Sequence, residues 1–155
     1  NVTGFTINAG RLHRLRGGTR TLGLTGTGPP AFLASPAEVG CTPDGRHLIV
    51  TGKTNSFIDT FVVKGDDRLS ASPVQTTDAS VPFAFAFSGT QLDLVNAAGN
   101  IATSRVNAHG TITQGPPVAD GQAAACCIAL AGDYAYGGQA ADATSRRTSG
   151  SAWRR

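Results

Sequence analysis

Apolar and polar residues alternate over short segments along most of this chain, and turn-forming residues separate those segments. The segment His47–Thr51 (HLIVT) is rich in β-branched residues and directly follows Pro43-Asp44-Gly45-Arg46. Segments of roughly four to eight such residues, bounded by Gly, Pro, Asn or Asp, are typical of β-strands. No helical periodicity competes with this pattern, so the sequence predicts an all-β protein.

The predicted strands come in groups that are divided by turns. They are Gly4–Asn8, Leu12–Arg16, Glu38–Thr42, His47–Thr51, Phe57–Val63, Leu69–Gln75, Pro82–Phe87, Gln91–Asn96, Ile101–Val106, Thr111–Val118, Ala123–Leu130 and Asp133–Tyr136. The turn before the second strand of a group recurs at a fixed spacing, because Gly89 follows Gly45 by 44 residues and Gly132 follows Gly89 by 43. A period of roughly 40–50 residues built from four short strands is typical of one β-propeller blade.

The repeat predicts a partial β-propeller over residues 1–143, with about three four-stranded antiparallel blades. We expect a half blade at 1–20, a connection at 21–35, blades at 36–80 and 81–121, and a half blade at 122–143. The Arg- and Ser-rich stretch 144–155 is expected to be a disordered basic tail. The half blades and the absence of Met lead us to expect a processed or internal segment of a longer chain. The open blade edges also predict self-association.

Charge and hydropathy exclude two classes of partner. The chain has 13 basic and 10 acidic residues, but four of the basic ones are Arg146, Arg147, Arg154 and Arg155. Without these four, the balance is 9 against 10, a net charge of −1, which argues against a nucleic-acid-binding face. No run of about 18 apolar residues is present, so we expect no membrane span.

The cysteines and histidines give no metal signature. Cys41, Cys126 and Cys127 are odd in number and lack CxxC spacing, which argues against zinc and against a disulfide framework. We expect them to be small buried residues on inner strands, and a vicinal Cys126–Cys127 disulfide remains an alternative. His13, His47 and His109 are expected in turns or on the surface. We therefore predict no metal and no cofactor.

One blade start carries a specific resemblance. The segment Ser35–Thr51 (SPAEVGCTPDGRHLIVT) resembles the VxFSPDGRxLxVT pattern of lactonase-like seven-bladed propellers with YVTN-type repeats. Asn55–Phe61, Pro82–Phe87 and Gly121–Cys127 look like further blade segments of the same family, and the resemblance covers about residues 1–143. It implies a chain with about three of seven blades, and an exported, secreted or periplasmic location.

The resemblance also implies a chemistry, the hydrolysis of a small sugar lactone (6-phosphogluconolactonase-like) or carboxymuconate cyclase-like chemistry at one mouth of the central channel. Lactone hydrolysis needs a general base and a cation or donor for the developing oxyanion. Among the loops that form that mouth, Glu38 is the candidate base and Lys53 its electrostatic partner. Asn55, Asn96 and Gln122 are the candidate substrate-binding residues.

There are two alternatives to the lactonase interpretation. The family often carries a His just before the first strand of a blade, where this chain has Ala37. That departure favours a propeller of the same fold that binds a ligand or partner without catalysis, with Glu38 and Lys53 as solvated loop residues. The second alternative is a truncated product that has no activity of its own.

Overall fold

The computed structural model describes residues 1–23, 35–53, 55–78, 80–141 and 151–154, and these contain strands and turns without any helix. No helix long and apolar enough to cross a membrane occurs in these ranges. The strands are β1 Val2–Asn8, β2 Arg11–Arg20, β3 Val39–Cys41, β4 His47–Gly52, β5 Phe57–Val62, β6 Val74–Thr77, β7 Pro82–Ser88, β8 Gln91–Asn96, β9 Asn100–Val106, β10 Ile112–Ala119, β11 Ala125–Ala131, β12 Tyr134–Gln139 and β13 Ser151–Arg154.

The strands form consecutive antiparallel sheets in which each strand pairs with its neighbour in sequence. The first sheet is the hairpin β1-β2, and the second and third sheets each have four strands, β3-β4-β5-β6 and β7-β8-β9-β10. The fourth sheet has the order β11-β12-β13. The expected all-β fold with four-stranded antiparallel sheets, a partial propeller, is therefore confirmed.

The glycines that marked the repeat occupy equivalent turns. Gly45, Gly89 and Gly132 lie between the first two strands of the second, third and fourth sheets, with φ angles of 70°, 59° and 54°. This left-handed backbone region is costly for residues that carry a Cβ atom. The spacing seen in the sequence thus reflects a glycine of positive φ in the same connection of three sheets.

Each four-stranded sheet is covered on both faces because the sheets stack on one another. In β4, Ile49 packs toward the third sheet with Phe85 and Leu94, whereas its neighbour Val50 packs toward the other side with Leu22. Successive side chains of a strand point to opposite faces. The alternation of two apolar sets on one strand therefore produces the stacked arrangement of propeller blades.

Two aspartates repeat where one sheet connects to the next. Asp78 and Asp120 follow β6 and β10, 42 residues apart, and each accepts through Oδ1 the backbone amide two residues further on, at 2.8 Å. Through Oδ2, Asp78 accepts a bond from Gln114 (2.7 Å), and Asp120 accepts one from Gln139 (3.0 Å). In both cases the glutamine belongs to the next sheet, so these bonds tie consecutive sheets together.

The outer strand of the second sheet differs from the prediction. We expected a strand at Leu69–Gln75, but the regular strand β6 is Val74–Thr77, and Leu69 forms only an isolated bridge with Val63. Ser70 explains the gap, because its hydroxyl accepts from the amide of Val62 (3.2 Å) and donates to the carbonyl of Ser72 (2.8 Å). A local side-chain bond of this kind competes with strand pairing.

The connection and the tail fall partly outside the described residues. Residues 24–34 of the predicted connection and residues 142–150 and 155 of the predicted tail are not described. Within the stretch expected to be disordered, the structure instead forms β13, whose Ser151–Arg154 pair with β12. The fourth sheet thus has a third strand that the sequence pattern did not predict.

Candidate functional site

The predicted site residues lie at the end of the sheets that carries the β4–β5 and β8–β9 turns. At this end, the residues just before β3 and the first strands of the third and fourth sheets, β7 and β11, bound a cavity of about 250 Å³. Its wall includes Ala37, Glu38, Phe83, Cys126 and Cys127.

A β-bulge recurs at this cavity in β7 and β11, the first strands of the third and fourth sheets. The pairing of β7 with β8 shifts register between Pro82 and Ala84, and the pairing of β11 with β12 shifts between Ala125 and Cys127. The extra residues are Phe83 and Cys126, which lie 43 residues apart and both line the cavity. A bulge releases its extra residue from the ladder and redirects its side chain.

Glu38 is held in place by backbone bonds on both sides. Its amide donates to the hydroxyl of Thr51 at 3.1 Å, and its carbonyl accepts the amide of the same residue at 3.1 Å. Its Oε2 accepts a 2.7 Å bond from the backbone amide of Phe85, in the next sheet. Among the described residues no hydrogen bond involves Oε1. The carboxylate is therefore oriented by one oxygen, and the other can accept a proton.

Thr51 is a residue that the sequence analysis missed. It is fully buried, and its hydroxyl donates a 2.6 Å bond to the carbonyl of the bulged residue Phe83 while accepting from the amide of Glu38. One side chain thus contacts both the candidate base and β7, the strand whose Phe85 amide donates to that base. The only available signal was its place as the last residue of the SPAEVGCTPDGRHLIVT motif.

Lys53, in the β4–β5 turn, also lies against β7. Its Nζ donates to the hydroxyl of Ser35 at 3.0 Å and lies 5.4 Å from the centroid of the Phe83 ring, which is cation–π distance. Glu38 and Lys53 therefore both contact β7, at Phe85 and Phe83. The structure brings the two predicted catalytic residues to one strand.

The three predicted substrate-binding residues lie at the same end but in turn environments. Asn55 is half-buried in the β4–β5 turn. Asn96 is only 1% exposed, and its Nδ2 donates to Oδ1 of Asn100 at 2.8 Å across the β8–β9 turn. Gln122 is half-buried, and its backbone amide donates to Oδ1 of Asp120. The contacts of Asn96 and Gln122 stabilise turns, and the substrate-binding roles of Asn55, Asn96 and Gln122 stay predictions.

The cysteines are more accessible than the sequence suggested. Cys41 and Cys127 are exposed and Cys126 is half-buried, so the expectation of three buried residues was wrong. The Sγ atoms of Cys126 and Cys127 are 3.3 Å apart. The pKa of the Cys126 thiol is raised to about 11, first by burial and second by the hydrogen bond with Cys127. No group of three or more His, Cys, Asp or Glu side chains that could hold a metal ion occurs in the described part of the chain.

A larger cavity, of about 510 Å³, lies between the second and third sheets at the opposite end. Asp44, Arg46 and His47 line it from one side and Phe87 and Asn107 from the other. A hydrogen bond from the Thr42 hydroxyl, followed by one from the Arg46 amide, lowers the pKa of Asp44. His47 is buried rather than at the surface, whereas His13 and His109 are exposed as expected.

Comparison with known proteins supports the fold. No protein-family model matches the chain, and no curated protein matches it either. Among solved structures, it superimposes on a crystal structure from Bacteroides uniformis described as a "putative 6-phosphogluconolactonase". The TM-score is 0.66 at 21% identity, over 97% of this chain and 49% of that one. The chain therefore shares the fold of that protein and spans about half its length.

Proposed function

We propose that this chain contributes to a seven-bladed lactonase-like propeller that hydrolyses a small lactone at the cavity lined by Glu38. The observation that carries the proposal is the anchoring of the Glu38 carboxylate by the amide of Phe85 at 2.7 Å, beside the cavity. Fixed orientation of a general base removes the entropic cost of positioning it in the transition state.

The geometry suggests a role for each group. Oε1 of Glu38 accepts a proton from a water molecule while the water oxygen attacks the lactone carbonyl carbon. The ammonium of Lys53 stabilises the charge that develops on the carbonyl oxygen. The ring C–O bond then breaks, the leaving oxygen takes the proton that Glu38 accepted, and a hydroxy acid forms. General-base assistance of this kind contributes roughly 10²–10⁴-fold to a rate.

The size of the cavity suggests the size of the substrate. Its volume of about 250 Å³ lies below the range of roughly 300–1,000 Å³ that is typical of drug-sized ligand sites. A lactone of a single sugar ring would match that volume, and the apolar ring of Phe83 offers a surface for the carbon face of such a ring.

A binding role without catalysis is the second candidate, and the larger cavity at the opposite end favours it. That cavity of about 510 Å³ combines the apolar ring of Phe87 with polar groups of Asp44, Arg46 and His47. Pockets that combine apolar walls with a few polar groups are typical ligand sites. Ala37, at the position where the family often has His, supports this candidate too.

Filling each cavity in turn distinguishes the two candidates. Ala37→Leu fills part of the smaller cavity beside Glu38, and Ala108→Leu makes the same increase in side-chain bulk at the larger one. A panel of γ- and δ-lactones is followed by proton release at constant pH, with the heat-unfolded chain as background. We expect turnover that Ala37→Leu abolishes and Ala108→Leu preserves. Turnover that survives Ala37→Leu, or no turnover by a cooperatively folded chain, would reject the lactonase proposal.

A further inference from the structure

The two adjacent cysteines face the same side of their strand, which a regular strand does not allow. Neighbouring side chains normally point to opposite faces. In the fourth sheet, however, Ala125 pairs with Gln139 and Cys127 with Gly138, so that Cys126 is the extra residue of a bulge. The bulge turns the two thiols toward each other, with the Sγ atoms 3.3 Å apart.

The surroundings leave this thiol pair open to small molecules. Cys127 is exposed, Cys126 is half-buried, and both line the cavity that also contains Glu38. The cross-strand neighbour of Cys127 is Gly138, where an added Cβ would lie 3.3 Å from the Cβ of Cys127. Glycine at that position therefore leaves space beside the thiols.

We propose that Cys126 and Cys127 are a reversible redox site, which closes to a vicinal disulfide by exchange with a small-molecule disulfide and changes the wall of the Glu38 cavity. The inference rests on the bulge, the sulfur contact and the shared cavity. It does not require that the cavity hydrolyses a lactone, and the experiment below reads sulfur chemistry alone.

The exchange proceeds in two steps that balance. The exposed Cys127 thiolate attacks one sulfur of the small disulfide, which gives a mixed disulfide and releases one thiolate. The Cys126 thiol then loses its proton to water, and its sulfur attacks the sulfur of Cys127 and expels the second thiolate. The net reaction converts a protein dithiol and one small disulfide into a protein disulfide and two small thiols.

The disulfide formed in this way is expected to be easy to reduce. Consecutive Cα atoms are about 3.8 Å apart across a trans peptide, whereas bridged cysteines usually have Cα atoms about 4.4–6.8 Å apart. Departure from the usual geometry stores strain and makes the bond more reducible. Labile disulfides of this kind suit a regulatory role rather than a structural one.

The test uses the Cys41→Ser chain, in which only the vicinal pair can react. It is equilibrated with glutathione buffers of increasing oxidised fraction, then alkylated and weighed by mass spectrometry. We expect an intramolecular disulfide that lacks two hydrogens, takes up no alkylating reagent and returns to the dithiol on adding reduced glutathione. Peptide mapping should place the bridge within one peptide that contains Cys126 and Cys127.

Single-cysteine variants supply the control. With Cys126→Ser added, Cys127 should stop at a mixed disulfide with glutathione, because no second thiol is available to resolve it. If the Cys41→Ser chain accumulates the same stable mixed disulfide, or only disulfides between chains, the proposal is overturned. The wild-type chain is treated in parallel, so that a folding defect of a variant cannot be mistaken for loss of the switch.

Discussion

The carboxylate of Glu38 and the backbone amide of Phe85 form a 2.7 Å hydrogen bond between residues 47 positions apart in the chain. β7 is the edge strand of the third sheet, so this amide has no strand partner on that side. An unpaired edge group is a liability that proteins cover with a side chain or another element. Glu38 therefore connects two sheets and also lines the cavity, so the variants that test it must separate its structural role from its proposed catalytic role.

Thr51→Val should weaken the same junction without altering side-chain size. The buried hydroxyl bonds the carbonyl of Phe83 at 2.6 Å and accepts from the amide of Glu38, and both groups would lose a partner. We expect a loss of about 1–3 kcal/mol in the free energy of unfolding, measured with urea. The exposed Thr113→Val in β10 is the control and should change it by less than about 0.5 kcal/mol. Equal effects of the two substitutions would contradict the bridging role of Thr51.

A comparison of Gly99→Ala with Gly45→Ala tests whether the backbone of Gln122 lies close against the β8–β9 turn. Both have positive φ, 86° and 70°, so alanine costs about 1–2 kcal/mol in backbone strain at either position. An added Cβ at Gly45 meets open space, whereas at Gly99 it overlaps the carbonyl oxygen of Gln122. We expect Gly99→Ala to cost roughly a further 1–3 kcal/mol in urea unfolding. Similar losses for both variants would show that Gln122 does not press against the β8–β9 turn.

Asp59 should make stability depend on pH. Burial raises the pKa of Asp59, and a hydrogen bond from Gln75 opposes that shift only in part. The folded state therefore binds the proton more tightly, and stability falls as the pH rises from about 3.9, the usual unfolded value, through the raised folded pKa.

Asp59→Asn removes this charge and keeps an oxygen for the Gln75 amide, which donates at 2.8 Å. The variant should unfold at higher urea concentration than the wild type at pH 7, and the advantage should vanish below the unfolded pKa. Asp66→Asn, in an exposed turn, is the control. If the stability gain of Asp59→Asn over the wild type increased on acidification, the raised pKa of Asp59 would be contradicted.

The first sheet presents an apolar patch, defined here as Phe5, Ile7 and Leu12. Ile7 and Leu12 are cross-strand partners and are 76% and 68% exposed. We propose that this patch mediates the self-association expected from open blade edges, since exposed apolar patches commonly mark interaction sites. Light scattering should give a mass that rises with concentration, and Ile7→Thr with Leu12→Thr should abolish the rise. Val118→Thr, at another exposed position, should not. A monomeric mass at all concentrations would exclude self-association.

The strands of the sheet interiors were predictable because both of their faces are buried. Gln91–Asn96 matches β8 to the residue, since its apolar residues serve the cores on either side. The strand predicted at Leu69–Gln75 failed because the apolar pattern does not show that the Ser70 hydroxyl bonds the backbone locally. A sequence pattern predicts which face of a strand a residue occupies. It does not predict whether a side chain will bond the backbone in place of a strand partner.

The candidate site was predictable in its residue types but not in its contacts. Glu38 and Lys53 could be chosen from motif position, yet nothing local shows that they meet β7 at Phe85 and Phe83. These contacts arise from stacking of sheets encoded more than 30 residues apart. The bulge at Cys126 was equally hidden, because Cys-Cys in a strand predicts thiols on opposite faces.

Glu38→Gln separates the two roles of Glu38, because the amide oxygen of glutamine can still accept the bond from Phe85 but cannot act as a general base. The rate of lactone hydrolysis is compared between the wild-type chain, Glu38→Gln and Asp66→Asn, together with urea unfolding of each. The account predicts a loss of roughly 10²–10⁴-fold for Glu38→Gln alone, with its unfolding midpoint preserved. A Glu38→Gln chain that hydrolyses the lactone at the wild-type rate would contradict it.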